Sequence, residues 1–302
     1  MTTLSTYLDS VKKGINNQKH RTYAEGIFEH YQAVLRDADS FFKHPSLLKK
    51  RAKQSKYKAI NELEKYLVEF EFLFTRRGGR IIWAADEDEA TKEIIKLLRE
   101  KGIRKTVKSN SKTANELQLN QCLEKANIES LETEFNAFSN QMQKNKPEST
   151  SFPILDTNFA QASPNIQKSL NIDGKNVQQT IDHVKKYLIN QCCQTRVGIT
   201  GVNFLVSDIG GLVICENQGN IAMTTAFPEI HIAVCGVEKM IPSLVDLEKF
   251  LHLLATHTSN NILPWHTQII TGPRQEDEID GPKELYLVLI DNKRTEVMKQ
   301  VI

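Results

Sequence analysis

An α/β fold carrying a helical N-terminal extension is what this sequence predicts, on three observations. Apolar residues recur at helical spacing through roughly the first 75 positions. From Arg80 to Phe135 strand-like runs alternate with capped amphipathic helices, and from Arg196 to Gly236 short apolar runs are punctuated by glycines. A chain of 302 residues, 40% hydrophobic and 25% charged, is large enough to bury a substantial core around one main domain.

Residues 1–75 read as helices, with Tyr23, Ile27, Tyr31, Val34 and Leu35 on one face and Leu63, Tyr66, Leu67 and Phe70 on another, divided at Pro45. Arg76 to Gly79 (RRGG) breaks the pattern and sets the boundary, so residues 76–302 are expected to form the α/β domain. There RIIWAA is a buried-strand run. The helix after it has Asp86 as N-cap, Glu89 three residues on and Gly102 as its stop. KTVKSNS is a second strand, TANELQLNQCLEKA a helix with Thr113 and Glu116 as capping box, and IESLETEF a third strand. The order β-α-β-α-β implies parallel strands joined by right-handed crossovers.

Residues 142–175, rich in Asn, Ser, Pro and Lys, read as an irregular connection with one strand at Phe152–Leu155, followed by a helix from Val177 to Ile189. VGI, NFLVSD, GLVICEN, IAMTTA and HIAVCG then read as a β-meander. SLVDLEKFLHLLATH is a helix boxed by Ser243 and Asp246, with Leu244, Leu247, Phe250, Leu251 and Leu254 inward. LYLVLID is a closing strand.

Several function classes are disfavoured. No run approaches the ~20 apolar residues of a membrane span, and the N-terminus has no apolar signal core, so a cytoplasmic protein without a membrane span is expected. The five cysteines (Cys122, Cys192, Cys193, Cys215 and Cys235) show no C-x-x-C spacing and suit neither a disulfide framework nor a metal or cluster site. A net charge of +2 argues for no polyanionic partner. The basic run Lys43–Lys58, seven Lys or Arg without an acid, fits a solvated helix face better than a nucleic-acid site.

No dinucleotide, P-loop, zincin or serine-elbow signature is present. Position is more informative, because ligands of open α/β sheets sit beyond the carboxyl ends of the strands, near helix N-termini. Lys108 and Ser109 end the second strand and are candidates for holding a phosphate or carboxylate, though a solvated strand-end lysine fits as well. Glu116 and Asn120 share a helix face, with a capping role the stronger reading for Glu116. The glycines, Gly201 and Gly219 among them, are explained by turns and close backbone approach. Thr200, Asn203, Glu216, Asn217 and Asn220 suit a ligand cleft and ordinary turn bonding almost equally. His231 in an apolar strand reads first as a hydrogen-bonded core residue, and Glu238 with Lys239 as a surface pair.

Five blocks in order then carry a resemblance: RGGRIIWAADEDEA, KSNSKTANELQLNQCLE, VGITGVNFLVSDIGGLVICENQGN, FPEIHIAVCGVEKMIPSLVDL and TGPRQEDEIDGPKELYLVLIDNKR. In these the chain resembles the LUD-domain proteins, and within them the iron-sulfur lactate-utilisation protein B type, from about Arg77 to Arg294. The resemblance implies a core like the sugar-phosphate isomerase and coenzyme A transferase superfamily (NagB/RpiA/CoA transferase-like). It also implies oxidation of L-lactate as one electron-transfer subunit alongside a cysteine-rich iron-sulfur subunit and a second LUD-domain subunit, with a small carboxylate as ligand. Position by position the matching polar residues are Lys108, Ser109, Glu116, Asn120, Thr200, Asn203, Glu216, Asn217, Gly219, Asn220, His231, Glu238, Lys239, Asp280 and Asn292, without assigned roles. The candidates taken from these and from the residues themselves are Glu216, Lys108 and His231 as catalytic, and Ser109, Glu116, Asn120, Thr200, Gly201, Asn203, Asn217, Gly219, Asn220, Glu238 and Lys239 as ligand-binding.

The family's C-x-x-C-x-x-C-x-x-x-C-P region, which holds [4Fe-4S] clusters, follows the block that here is Asp291–Arg294. This sequence stops at Ile302, where that region is expected to begin, and the ending VMKQVI favours a chain cut before it over a member that lacks it. The present residues are therefore expected to bind no cofactor. Thr256–Asn260 replaces the family's Ser-Ala-Thr-Gly-Gln-like stretch, and the His after Phe152–Leu155 is missing, which leaves the substrate open. The rival expectations are a coenzyme A transferase-like or sugar-phosphate-binding enzyme using Glu216, whose Glu-Asn-x-Gly setting looks like the transferase nucleophile motif, and a non-catalytic scaffold subunit.

Overall fold

The computed structural model describes residues 18–142, 166–168, 170, 177–259 and 263–301. Among the described residues three helices come first: α1 (Gln18–Ala38), α2 (Pro45–Asn61), which starts on the proline that divides them, and α3 (Leu63–Arg76). Then come β1 (Arg80–Ala84), α4 (Glu87–Glu100), β2 (Lys105–Lys108), α5 (Lys112–Glu116), α6 (Leu119–Lys125), β3 (Glu129–Glu132) and α7 (Phe135–Met142). The second half holds α8 (Val177–Gln194), β4 (Val197–Gly201), β5 (Phe204–Val206), β6 (Gly211–Glu216), α9 (Asn220–Ala226) and β7 (Ile230–Gly236). It closes with β8 (Met240–Ile241), α10 (Leu244–Ser259), β9 (His266–Ile270), β10 (Glu284–Ile290) and α11 (Arg294–Val301).

Six strands form one sheet in the order β1-β10-β7-β4-β2-β3, all parallel. Its central strands are apolar on both faces, as a sheet covered on both sides requires. Ile230, Ile232 and Val234 of β7 join Tyr286, Val288 and Ile290 of β10 under Ile94 and Leu98 of α4. The intervening Ala233, Cys235, Leu285, Leu287 and Leu289 pack against Tyr66, Phe70 and Phe74 of α3 and against Leu205 and Leu212 of a second sheet, ordered β8-β5-β6-β9. The aromatic stripe of the N-terminal helices is therefore packed into the α/β core. No helix among the described residues is long and apolar enough to cross a membrane.

The mixed α/β architecture with a parallel sheet and helical N-terminal region is as the sequence predicts, and Asp86 caps α4 by accepting from the Glu89 amide at 2.9 Å. Several elements differ. IAMTTA is helix α9, because Gly219 takes a left-handed conformation (φ 77°), the Glu216 carboxylate accepts the Ile221 and Ala222 amides, and the Thr224 and Thr225 hydroxyls bond back to the Asn220 and Ile221 carbonyls. The expected meander is split: β4 and β7 lie in the parallel sheet, β5 and β6 in the other. Ser111, not Thr113, caps α5, and the expected single helix breaks at Gln118, a left-handed residue (φ 48°). Leu244, expected inward, is 42% exposed at the start of α10, and β9 was not anticipated. The strand expected at Phe152–Leu155 lies outside the described residues.

Candidate functional site

The carboxyl ends of the parallel strands bring charged and polar side chains together in two clusters. In the first, Lys108 at the end of β2 stands beside its register neighbour Glu132 at the end of β3, and their charged groups pair at 2.7 Å. Both are sealed from solvent. Asn120 of α6 donates to the same Glu132 oxygen at 2.6 Å. The Lys108 carbonyl accepts from the Thr133 amide and hydroxyl, and the Thr133 hydroxyl meets those of Thr224 and the amide of Asn220. Ser109 lies buried beside them.

In the second cluster Arg294, at the start of α11, grips Glu116 through both guanidinium nitrogens (3.0 and 2.7 Å) and reaches Glu238 with Nε at 2.6 Å. Asn292 adds a bond to Glu116. Arg294 hydrogen bonding holds the Glu116 carboxyl below its ordinary range. Asn292 and Lys293 are consecutive left-handed residues (φ 42° and 65°), a costly backbone shape held by the Asn292 amide on the Ala85 carbonyl and by Asp291 capping α11 at Thr295. Lys56 of α2 donates to the Glu238 and Met240 carbonyls, and burial, helped by the nearby Lys239 charge, lowers its pKa to about 8.

The other expected site residues lie elsewhere. Thr200 and His231 are fully buried and bond to each other at 2.7 Å on the face covered by the second sheet, opposite to Lys108. Burial alone lowers His231 to about 4, so its ring is neutral at pH 7. Asn203 accepts from the Cys215 amide, and Asn217 accepts from the Trp265 amide. Both Glu216 oxygens are taken by α9 amides. Gly201 carries no side chain because a Cβ there would overlap Ser111. Glu238 and Lys239 are 3.8 Å apart, and Asp280 is exposed in the loop before β10. The structure thus gathers Lys108, Ser109, Asn120 and Asn220 at one strand edge and Glu116, Glu238 and Asn292 at the next. It leaves Thr200, His231, Asn203 and Glu216 outside both.

Glu132, Thr133 and Arg294 belong to these clusters and are not singled out by sequence reasoning. Their signal is weak: Glu132 ends a strand, and only the parallel register shows that it faces Lys108. Cys192 packs with α7 and α8 and Cys235 with α3, and no group of three His, Cys, Asp or Glu among the described residues is placed to hold a metal.

Comparison with known proteins bears on the same region. The LUD domain model matches residues 67–290. The chain belongs to the LUD-domain family. Among curated relatives, a lactate utilization protein B of Anoxybacillus flavithermus is 29% identical over 96% of this chain and 62% of its own length. That of Bacillus cytotoxicus is 30% identical over 81% and 52%. An uncharacterized electron transport protein, YkgF, of Escherichia coli K12 is 29% identical over 82% and 52%. The LUD-domain chain thus spans between about half and three fifths of these relatives' lengths. A crystal structure of a DUF162 family protein from Deinococcus radiodurans aligns over 75% of this chain and 97% of its own, at 11% identity and a TM-score of 0.42.

Proposed function

We propose that this LUD-domain protein works in lactate utilisation as an oxidoreductase component, and that it holds a small carboxylate at the carboxyl edge of its parallel sheet, by Lys108. The observation that carries this reading is the similarity to lactate utilization proteins B along 96% of the chain. Geometry supplies a charged pair, Lys108 with Glu132, at the end of the sheet where open α/β folds receive ligands, so a carboxylate there would have to displace Glu132 from the ammonium. In this reading electrons leave through [4Fe-4S] clusters held outside these residues, and the partners are a cysteine-rich iron-sulfur subunit and a second LUD-domain subunit.

A transferase using Glu216 is disfavoured. A thioester-forming carboxylate must be free to attack, whereas this one is 7% exposed with both oxygens accepting backbone amides. The test is lactate-dependent dye reduction by the complex reconstituted from all subunits. Reduction that is lost with Lys108→Ala, in a variant shown to be folded, supports the reading. A complex that reduces no dye with lactate refutes the lactate role, and one that works equally well with Lys108→Ala removes Lys108 from the site.

A further inference from the structure

Helix α3 is apolar on two opposite faces, and the core covers one of them. Tyr66, Phe70 and Phe74, spaced four apart, are buried against the two sheets. Directly across the helix a second row spaced four apart runs Glu64, Val68, Phe72, Arg76. All four are exposed, Val68 by 62% and Phe72 by 61%. A surface helix ordinarily turns polar residues outward, so an apolar centre on this face calls for a cover. Trp83 enlarges it: this residue of the edge strand β1 is 43% exposed and donates through Nε1 to Glu71, beside the row, at 3.3 Å.

The order of the row specifies the cover. It reads acid, apolar, apolar, base, so its reverse is its own complement. Glu64 and Arg76 form no ion pair among the described residues, whereas the neighbouring Lys65 is taken by Glu62 at 2.8 Å. The helix dipole accounts for an acid in the first turn and a base in the last, but not for Val68 and Phe72 between them. A copy of the row turned end for end, about a two-fold axis at the level of Phe70, sets Glu64 against Arg76 of the copy at both ends and Val68 against Phe72 of the copy in the middle. Rows of residues four apart are inclined to their helix axis, so two laid side by side cross the helices at about −50°, the commonest packing class. A lipid surface, or a partner of one charge, matches one end of the row and opposes the other.

We propose that two copies of this chain pair through the outer face of α3, in a two-fold dimer closed by two Glu64–Arg76 ion pairs around Val68, Phe72 and Trp83. The pairing is independent of the lactate reading above.

Sedimentation velocity on the full chain tests it. Between about 1 and about 200 µM the unaltered protein passes from monomer to dimer, as suits an interface at the small end of the stable range. Glu64→Arg sets like positive charges against each other at both ends, and Arg76→Glu like negative ones, so each variant alone dimerises about tenfold or more weakly. Both positions are exposed, so neither change disturbs the fold of the monomer, which circular dichroism checks. Carrying both changes in one chain restores the dimer, and so does mixing the two single variants, whose charges complement only each other. A chain that stays monomeric across that range gives this face to a different protein and overturns the proposal. A dimer indifferent to both reversals, or one that neither the double variant nor mixing restores, overturns it too.

Discussion

His231 makes the stability of this fold depend on acid in a way that can be calculated. Its ring is fully buried, and it is held at about 4 against an ordinary 6.5 because burial penalises the imidazolium. Above pH 6.5 the ring is neutral in both folded and unfolded chains, and the stability is fully present. As pH falls from 6.5 to about 4, the unfolded chain takes up a proton that the folded chain refuses, so stability is lost through that window. A gap of about 2.5 pH units at about 1.36 kcal/mol each amounts to about 3 kcal/mol. Urea denaturation at pH 7 and pH 4 measures the loss. Carboxylates contribute in the same window, so the informative quantity is the difference between the unaltered protein and His231→Gln, which keeps a bond to Thr200 but cannot titrate. The variant should lose about 3 kcal/mol less between the two pH values. Equal losses in the two proteins would show that the ring is protonated in the fold and refute the reasoning.

Lys56 gives the mirror case at high pH: burial lowers it from 10.5 to about 8, so stability rises by up to about 3 kcal/mol between those values, as the unfolded chain alone keeps the proton; Lys56→Met should abolish the rise in denaturation curves at pH 8 and 10. Lys108→Met strands the buried Glu132 charge and should cost about 3–5 kcal/mol, while Lys108→Met combined with Glu132→Leu should recover most of it by urea denaturation. Gly198→Ala places a Cβ on the Thr224 carbonyl oxygen, so α9 must lift from β4 and the melting temperature should fall by an amount corresponding to about 1–3 kcal/mol.

The parallel half of the sheet is legible because its signals are local. Asp86 followed by Glu89, then Gly102, bracket α4 whatever the rest of the chain does, and the apolar runs of β7 and β10 form buried strands, whereas RIIWAA, read as a buried run, makes the edge strand β1 with Trp83 43% exposed. IAMTTA defeats local reading, since its β-branched threonines and apolar residues favour a strand by propensity. What overrides that preference is a side chain outside the segment. Glu216 supplies two acceptors to the first free amides of α9, and the threonine hydroxyls turn back onto their own helix. The hairpin β5–β6 leaves the main sheet for a similar reason, because Asn203 binds the Cys215 amide and closes the pair on itself.

The candidate site divides along the same line. Lys108, Ser109 and Asn120 are legible because a strand end before a capped helix can be recognised from one stretch of chain. Glu132 is not, since its place beside Lys108 exists only through the parallel register that sets β3 against β2, a pairing between segments distant in sequence. The polar residues of the glycine-rich stretch from Arg196 to Asn220 mislead for the converse reason. Thr200, Asn203 and Glu216 have strong local partners, so their conspicuous polarity is already consumed within the fold. Unspent capacity therefore says more than polarity about where a ligand goes. Beside Lys108 it remains at Glu132 Oε2 and Asn120 Oδ1, both buried without a partner where two parallel strands end.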